Sequence, residues 1–199
     1  MSTIDDTQIQ QIVQRVITQV MGLSQTGNPP EVTAPASESA TKPVTPGNGR
    51  KVVAIGSDHG GFELKEILKA DLTGMGLDVN DVGTFSMAAV DYPDYAHEVA
   101  KLVSSGKAWR GIMIDGAGIG SCIVANKIPG VRAGMAYDFS SAVNSREHND
   151  TNVLTLGAGL IGVNLAKQIV KVWLSTEFGG DRHTRRVVKI SIVEKLYMK

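Results

Sequence analysis

The chain has little cysteine, no charge excess and no long apolar run. Its one thiol, Cys122, excludes an intramolecular disulfide framework and fits a reducing compartment. Twenty basic side chains are balanced by twenty acidic ones, so there is no basic field to draw nucleic acid. No apolar run approaches the roughly 20 residues that cross a bilayer. The first residues lack both the basic and the continuous apolar region of a secretory signal. These absences predict a cytoplasmic protein with no nucleic acid or membrane partner.

What is present falls into three zones. In residues 1–22, Ile9, Ile12, Val13, Val16, Ile17 and Val20 recur at helical spacing and predict an amphipathic helix, with Thr3, Asp5 and Asp6 at its start and Gly22 at its end. Residues 23–49 hold five of the seven prolines among Ser, Thr, Ala and Gly, which describes a flexible or disordered linker. A short helix on such a tether is marginal in water and needs a surface, either a partner's or its own domain's.

Residues 50–199 alternate strand and helix patterns. Strands are expected at 52–55, 77–82, 111–114, 131–137 and 152–156. Helices are expected at 62–75, 92–103, from near 120, and at 140–148, 161–175 and 184–197. This alternation predicts an α/β domain with a five-stranded parallel sheet and helices on both faces. Ligands in such sheets bind beyond the C-terminal strand ends.

One such end is rich in glycine. Gly111-Ile-Met-Ile114 runs into Asp115-Gly-Ala-Gly-Ile-Gly-Ser121. Gly116, Gly118 and Gly120 allow close backbone approach, and the N–H groups opening the next helix form an anion cradle. Asp115 adds a carboxylate at the strand tip. A base beside an anion cradle is what an enolate-like intermediate requires.

Three of the four histidines sit in suggestive surroundings. His59 follows Asp58 after the first strand, a pair suited either to a ligand or to capping the next helix. His148 precedes Asn149 at a helix end, where the helix dipole also favours it. His183 lies between Arg182 and Arg186, whose planar guanidinium groups suit phosphate oxygens and equally suit a solvated helix end. His97 falls mid-helix among polar neighbours and reads as exposed.

Taken in order, Gly56-Ser-Asp-His-Gly-Gly-Phe62, Asp91-Tyr-Pro93, Gly116-Ala-Gly-Ile-Gly120, Ala125-Asn-Lys127, Arg146-Glu-His-Asn-Asp-Thr-Asn-Val153 and Arg182-His-Thr-Arg-Arg186 resemble the type B ribose-5-phosphate isomerases and the related galactose-6-phosphate isomerases. The resemblance spans about residues 51–196. It implies a Rossmann-like domain that forms a homodimer or higher homo-oligomer, with sites completed across the dimer. The implied reaction interconverts aldose and ketose phosphates without a metal or other cofactor.

The same resemblance implies particular roles. His148 and His59 are catalytic, and the strand-tip carboxylate of Asp115, read from its own chemistry, completes the catalytic set as base. Asp58, Tyr92, Gly116, Ala117, Gly118, Ile119, Gly120 and Asn149 contact the sugar. Arg182, His183 and Arg186 hold the phosphate.

Four positions depart from the pattern. Asp115 stands where many members carry a cysteine base, and Ser121 where others carry a glutamate. Gly159 replaces an arginine that helps bind the far end of the substrate, and Ala117 replaces a hydroxyl residue. These departures leave open isomerisation of a different aldose phosphate, or a member that binds a sugar phosphate without turning it over. Residues 4–21 with their linker resemble encapsulation peptides of bacterial microcompartment enzymes, which implies shell proteins as partners and a location inside a microcompartment.

Overall fold

The structure is a computed structural model and describes residues 49–198. The expected helix at 4–21 and all but the last residue of the expected linker lie outside the described residues. The elements in chain order are β1 (Val52–Ser57), α1 (Phe62–Gly74), β2 (Asp78–Asp81), α2 (Tyr92–Ser104), β3 (Arg110–Asp115), α3 (Ile119–Ala125), β4 (Ala133–Met135), α4 (Phe139–Glu147), β5 (Val153–Gly157), α5 (Val163–Ser175) and α6 (Asp181–Tyr197).

All strand pairs are parallel, in the order β2-β1-β3-β5-β4. The chain steps outward from β1 to β2 and then returns to the other side of β1 with β3. The strand order therefore reverses between β1 and β3, and the crevice beyond their C-terminal ends is the natural ligand position.

The strands alternate between two apolar layers. Val53, Ile55, Ile112, Ile114, Leu154 and Leu156 pack on one face against α1 and α5, with Trp173 fully buried. Ala54, Met113 and Val153 pack on the other face against α2 and α3. On α1 the helical spacing puts Leu64, Ile67, Leu68 and Leu72 near one face, and Leu64, Leu68 and Leu72 are buried. Ile67 instead lies 36% exposed, because its position turns it off the stripe that faces the sheet.

Two boundaries differ more than end-fraying explains. The strand expected over 131–137 pairs only at Ala133–Met135, since β4 is an edge strand with one neighbour, β5. The last helix starts at Asp181, before the expected Thr184, so Arg182 and His183 fall in its first turn.

Two buried charged groups tie the frame together. Lys65 is fully buried, and its Nζ donates to Asp81 Oδ1 at 2.8 Å and Oδ2 at 2.6 Å. Asp81 also receives Lys69 at 2.6 Å and the Gly83 N–H at 3.0 Å, which fixes the turn leaving β2. Arg110 lies by the Trp109 and Trp173 rings and donates to the carbonyls of Trp173 and Leu174, closing the C-terminal end of α5. Burial, with Arg146 nearby, pulls the Arg110 pKa down to about 9, which still leaves it protonated at neutral pH.

Candidate active site

The tips of β1 and β3 carry one half of the expected residues. Asp58 is buried and its Oδ1 accepts the Gly61 N–H at 3.0 Å, so the aspartate does cap the turn into α1. His59 is exposed, with Nδ1 3.2 Å from the Val90 carbonyl oxygen. The Val90 N–H also reaches Nδ1, at 3.3 Å, so the Val90 peptide holds the ring by that nitrogen in either tautomer.

The glycine loop lies beside them. Gly118 has φ +79°, a turn that only a residue without Cβ adopts freely. A Cβ on Gly120 would stand 2.4 Å from the Tyr92 ring, so the absence of a side chain there is what lets Tyr92 lie over the start of α3. Gly116 and Ile119 face outward, Ile119 at 50% exposure. Gly159, where an arginine was expected from the resemblance, donates its N–H to the Gly116 carbonyl at 3.0 Å and so braces the same loop.

The loop differs from the expected open cradle in one respect. The Asp115 carboxylate itself fills much of it. Oδ1 accepts the N–H of Ala117 at 2.8 Å and that of Gly118, while Oδ2 accepts the N–H of Ser121 at 3.1 Å and the Ser121 hydroxyl. Asp115 is 4% exposed and Ser121 is fully buried. An aspartate two to six residues ahead of those donors folds back on them as an Asx-type turn does, which supplies the physical reason.

The other half of the expected residues lies elsewhere. His148 caps the C-terminus of α4 and stacks on His183, with centroids 4.1 Å apart. Asn144 Nδ2 donates to His148 Nδ1 at 2.8 Å, so the neutral ring carries its proton on Nε2. Asn149 donates from Nδ2 to the Asn144 carbonyl at 3.3 Å. Arg182 and Arg186 extend from the first turns of α6, whose N-terminus adds a positive dipole end. Burial, followed by His148 and the two guanidinium groups, pushes the His183 pKa below that of an ordinary histidine.

This second group was legible only in part. Asn144 was missed, although its spacing of four from His148 on a helix puts the two side by side. Arg146 was missed as a brace. It donates to Asp150 and to the Thr176 carbonyl, and the Gly179 N–H reaches the Glu147 carbonyl, so α4 is bound to the segment that leads into α6. Cys122 is half-buried, and burial raises its thiol pKa. His97 is exposed as expected.

The two groups sit at opposite ends of the sheet. Asp58 and Asp115 lie at the C-terminal ends of β1 and β3. His148 and Asn149 precede β5 and therefore lie at its N-terminal end, as does the start of α6 after α5 runs back. Strand length separates them by roughly 15–20 Å, at about 3.3 Å per residue. No hydrogen bond or ion pair among the described residues joins them. A cavity of about 610 Å³ opens at the β4 edge, lined by Asn126, Arg132, Met135, Asn144, Asn149 and Ile190, and of the expected residues it includes only Asn149.

A doubly wound sheet with a glycine loop, a carboxylate and an Asp–His pair at its switch point defines an α/β protein built for a small polar ligand. Comparison with known proteins gives the family. Residues 53–190 match Ribose/Galactose Isomerase, and the chain belongs to that family. It is 46% identical to Ribose-5-phosphate isomerase B of Escherichia coli over 145 residues, 73% of this chain and 97% of that one. It is 41% identical to D-erythrulose-4-phosphate isomerase of Pectobacterium atrosepticum over 143 residues, 71% of this chain and 94% of that one. The solved ribose-5-phosphate isomerase B of Clostridium thermocellum superposes with a TM-score of 0.72 at 48% identity, covering 73% of this chain and 99% of that one. The α/β fold and five-stranded parallel sheet agree with the expectation drawn from the sequence. Among the described residues, no helix is long and apolar enough to cross a membrane.

Proposed function

We propose that this chain interconverts a phosphorylated aldose and its ketose, ribose 5-phosphate and ribulose 5-phosphate, through an enediolate. The observation that carries the reading is the carboxylate of Asp115 at the β1–β3 crevice, beside Asp58, His59 and Tyr92. The E. coli and C. thermocellum relatives support the substrate. His148, Asn149, Arg182 and Arg186 stand at the far end of the same chain's sheet, so a homodimer that sets one copy's far end against the other's crevice completes the site.

In that site Asp115 carries the proton between C2 and C1. His59 exchanges a proton with a sugar hydroxyl as the ring opens. The partner copy's His148, protonated on Nε2, moves a proton between O1 and O2. Asn149 donates to the enediolate oxygen, and Arg182 and Arg186 hold the phosphate with His183.

Purified full-length protein is assayed against aldose phosphates of four to six carbons. The four-carbon arm answers a second reading, favoured by Gly159 and by the erythrulose-phosphate relative, in which a smaller sugar is the substrate. No turnover of any member, with binding retained, would mark a catalytically silent protein. Asp115→Asn should lower kcat at least a hundredfold. Asp115→Cys loses the loop's acceptors but keeps an ionisable group. Activity recovered in the cysteine variant supports the base, and equal loss in both supports a purely loop-building aspartate.

The reading of residues 4–21 as a microcompartment address is part of the proposal. The apolar stripe from Ile9 to Val20 suits docking into a groove on a shell protein. Residues 1–24 fused to a fluorescent protein should enter co-expressed shells, and Ile12→Asp with Val16→Asp should abolish entry. Diffuse fluorescence beside well-formed shells would overturn the assignment.

A further inference from the structure

We propose that Ser121 is a positioning residue for Asp115: its hydroxyl is the partner that accepts a hydrogen bond from the carboxyl group once Asp115 has taken the substrate proton. The inference rests on the isomerase reading above and extends it to a residue that the substrate does not touch.

A carboxylate offers four acceptor directions. In Asp115 all four are used, by the N–H groups of Ala117, Gly118 and Ser121 and by the Ser121 hydroxyl. That arrangement suits the ionised form. It becomes a difficulty when the carboxylate acts as a base. The acid formed has an O–H that must donate, and three of the four neighbours can only donate. Backbone N–H groups cannot reverse direction, and these three are fixed by the turn at Gly118 and the opening of α3. The serine hydroxyl can reverse, because one torsion exchanges its hydrogen for a lone pair. Ser121 is fully buried and Asp115 nearly so, so water does not supply an acceptor on that side.

The proton balance runs through that reversal. On the open-chain aldose the Ser121 hydroxyl first turns its hydrogen away and frees a lone pair of Asp115 Oδ2, and the C2–H bond then breaks as its proton goes to that oxygen. The electron pair becomes the C1–C2 double bond, and the carbonyl pair moves to O1. The Ser121 oxygen, its hydrogen turned away, accepts from Oδ2–H while the enediolate exists. The proton then returns to C1, O1 gains a proton and O2 loses one as the C2 carbonyl forms. Asp115 is again ionised and Ser121 donates once more.

Removing the hydroxyl leaves the ionised form held by three N–H groups and strands the O–H of the acid among donors. Leaving a buried polar group unpaired selectively disfavours the intermediate. The test uses full-length protein with ribose 5-phosphate, unlabelled and deuterated at C2. Ser121→Ala should lower kcat about tenfold or more, leave KM within about twofold, and raise the primary isotope effect as C2–H cleavage becomes limiting. Ser121→Thr keeps the hydroxyl and should stay within about threefold of the parent, while Ser121→Val, matched to threonine in shape, should behave as the alanine variant. The threonine and valine pair decides the matter if the alanine variant does not fold. An unchanged isotope effect in the alanine and valine variants of an active enzyme would overturn the role of Ser121 alone. A parent protein that turns over no aldose phosphate would overturn the isomerase reading, and this inference with it.

Discussion

His148 and His183 lie ring on ring, their centroids 4.1 Å apart and their planes 13° from parallel. One ends α4 and the other begins α6, so the stack joins two elements that each bring a basic or polar neighbour to the same spot. It also sets a penalty on charge, since protonating one ring places a cation against the other and near Arg182 and Arg186.

The first prediction follows from that penalty. Burial, then His148, Arg182 and Arg186, hold the His183 pKa below its ordinary value of 6.5. The unfolded chain therefore takes up a proton near pH 6.5 while the folded chain does so only at lower pH. Stability present above that value is lost as the pH falls below it. His183→Gln should flatten the fall of Tm between pH 7 and the acid side, measured in phosphate-free buffer. Inorganic phosphate should reverse the effect in the parent by neutralising the surrounding charge. An identical acid slope in parent and variant would contradict it.

A second prediction separates phosphate binding from fold support. Arg186→Ala should raise KM for a sugar phosphate by tenfold or more, since each charge-assisted contact is of that order. It should leave the weak turnover of the unphosphorylated sugar nearly unchanged. Equal effects on both substrates would make the arginine a structural residue.

The arrangement of these groups bears on how much the sequence discloses. Strand and helix order was readable because Val53, Ile55, Ile112 and Ile114 alternate with residues of the opposite face, and because Leu64, Leu68 and Leu72 keep helical spacing. Periodicity is a local signal and the chain carries it locally. Asp115 was legible as a strand-tip carboxylate, but not its four donors, because those depend on how the loop turns at Gly118. The brace from Arg146 to the Thr176 carbonyl was invisible for a related reason. It spans thirty residues, and nothing local marks an arginine that will be buried. The separation of Asp115 from His148 by the height of the sheet follows from the parallel topology, and could have been deduced once the strand order was known.

The third prediction concerns the buried Lys65–Asp81 pair. Asp81→Asn removes the charge that Lys65 and Lys69 share and leaves the fully buried Lys65 ammonium with Glu66 alone, a partly exposed carboxylate 3.0 Å away. Breaking a buried pair from one side costs about 3–5 kcal/mol. Urea unfolding should show a loss of up to that size, reduced by what Glu66 retains, together with loosening of the turn at Gly83, which donates to the same carboxylate. Lys65→Met combined with Asp81→Asn should recover much of it, because the under-compensated buried charge is then gone. A double variant as unstable as the single one would show that packing, not charge, dominates here.

The last prediction tests whether Tyr92 acts through its seat on the glycine loop. Gly120 occupies an ordinary helical position in the first turn of α3, where alanine is intrinsically better than glycine by about 0.5–1 kcal/mol. Its added methyl group would stand 2.4–2.6 Å from Tyr92 ring atoms, a separation that the ring cannot tolerate. Tyr92 is 38% exposed, so the ring can swing outward without opening the core. Gly120→Ala should therefore change Tm little, the propensity gain offsetting the lost ring contact, while raising KM because Tyr92 leaves the substrate side of the loop. The decisive measurement is a double-mutant cycle. If the methyl group acts only by evicting the ring, Gly120→Ala should have almost no further effect on KM in a Tyr92→Ala background, giving a strong departure from additivity. Additive effects would mean that the methyl group obstructs the substrate directly, and that Tyr92 is not the residue Gly120 exists to accommodate.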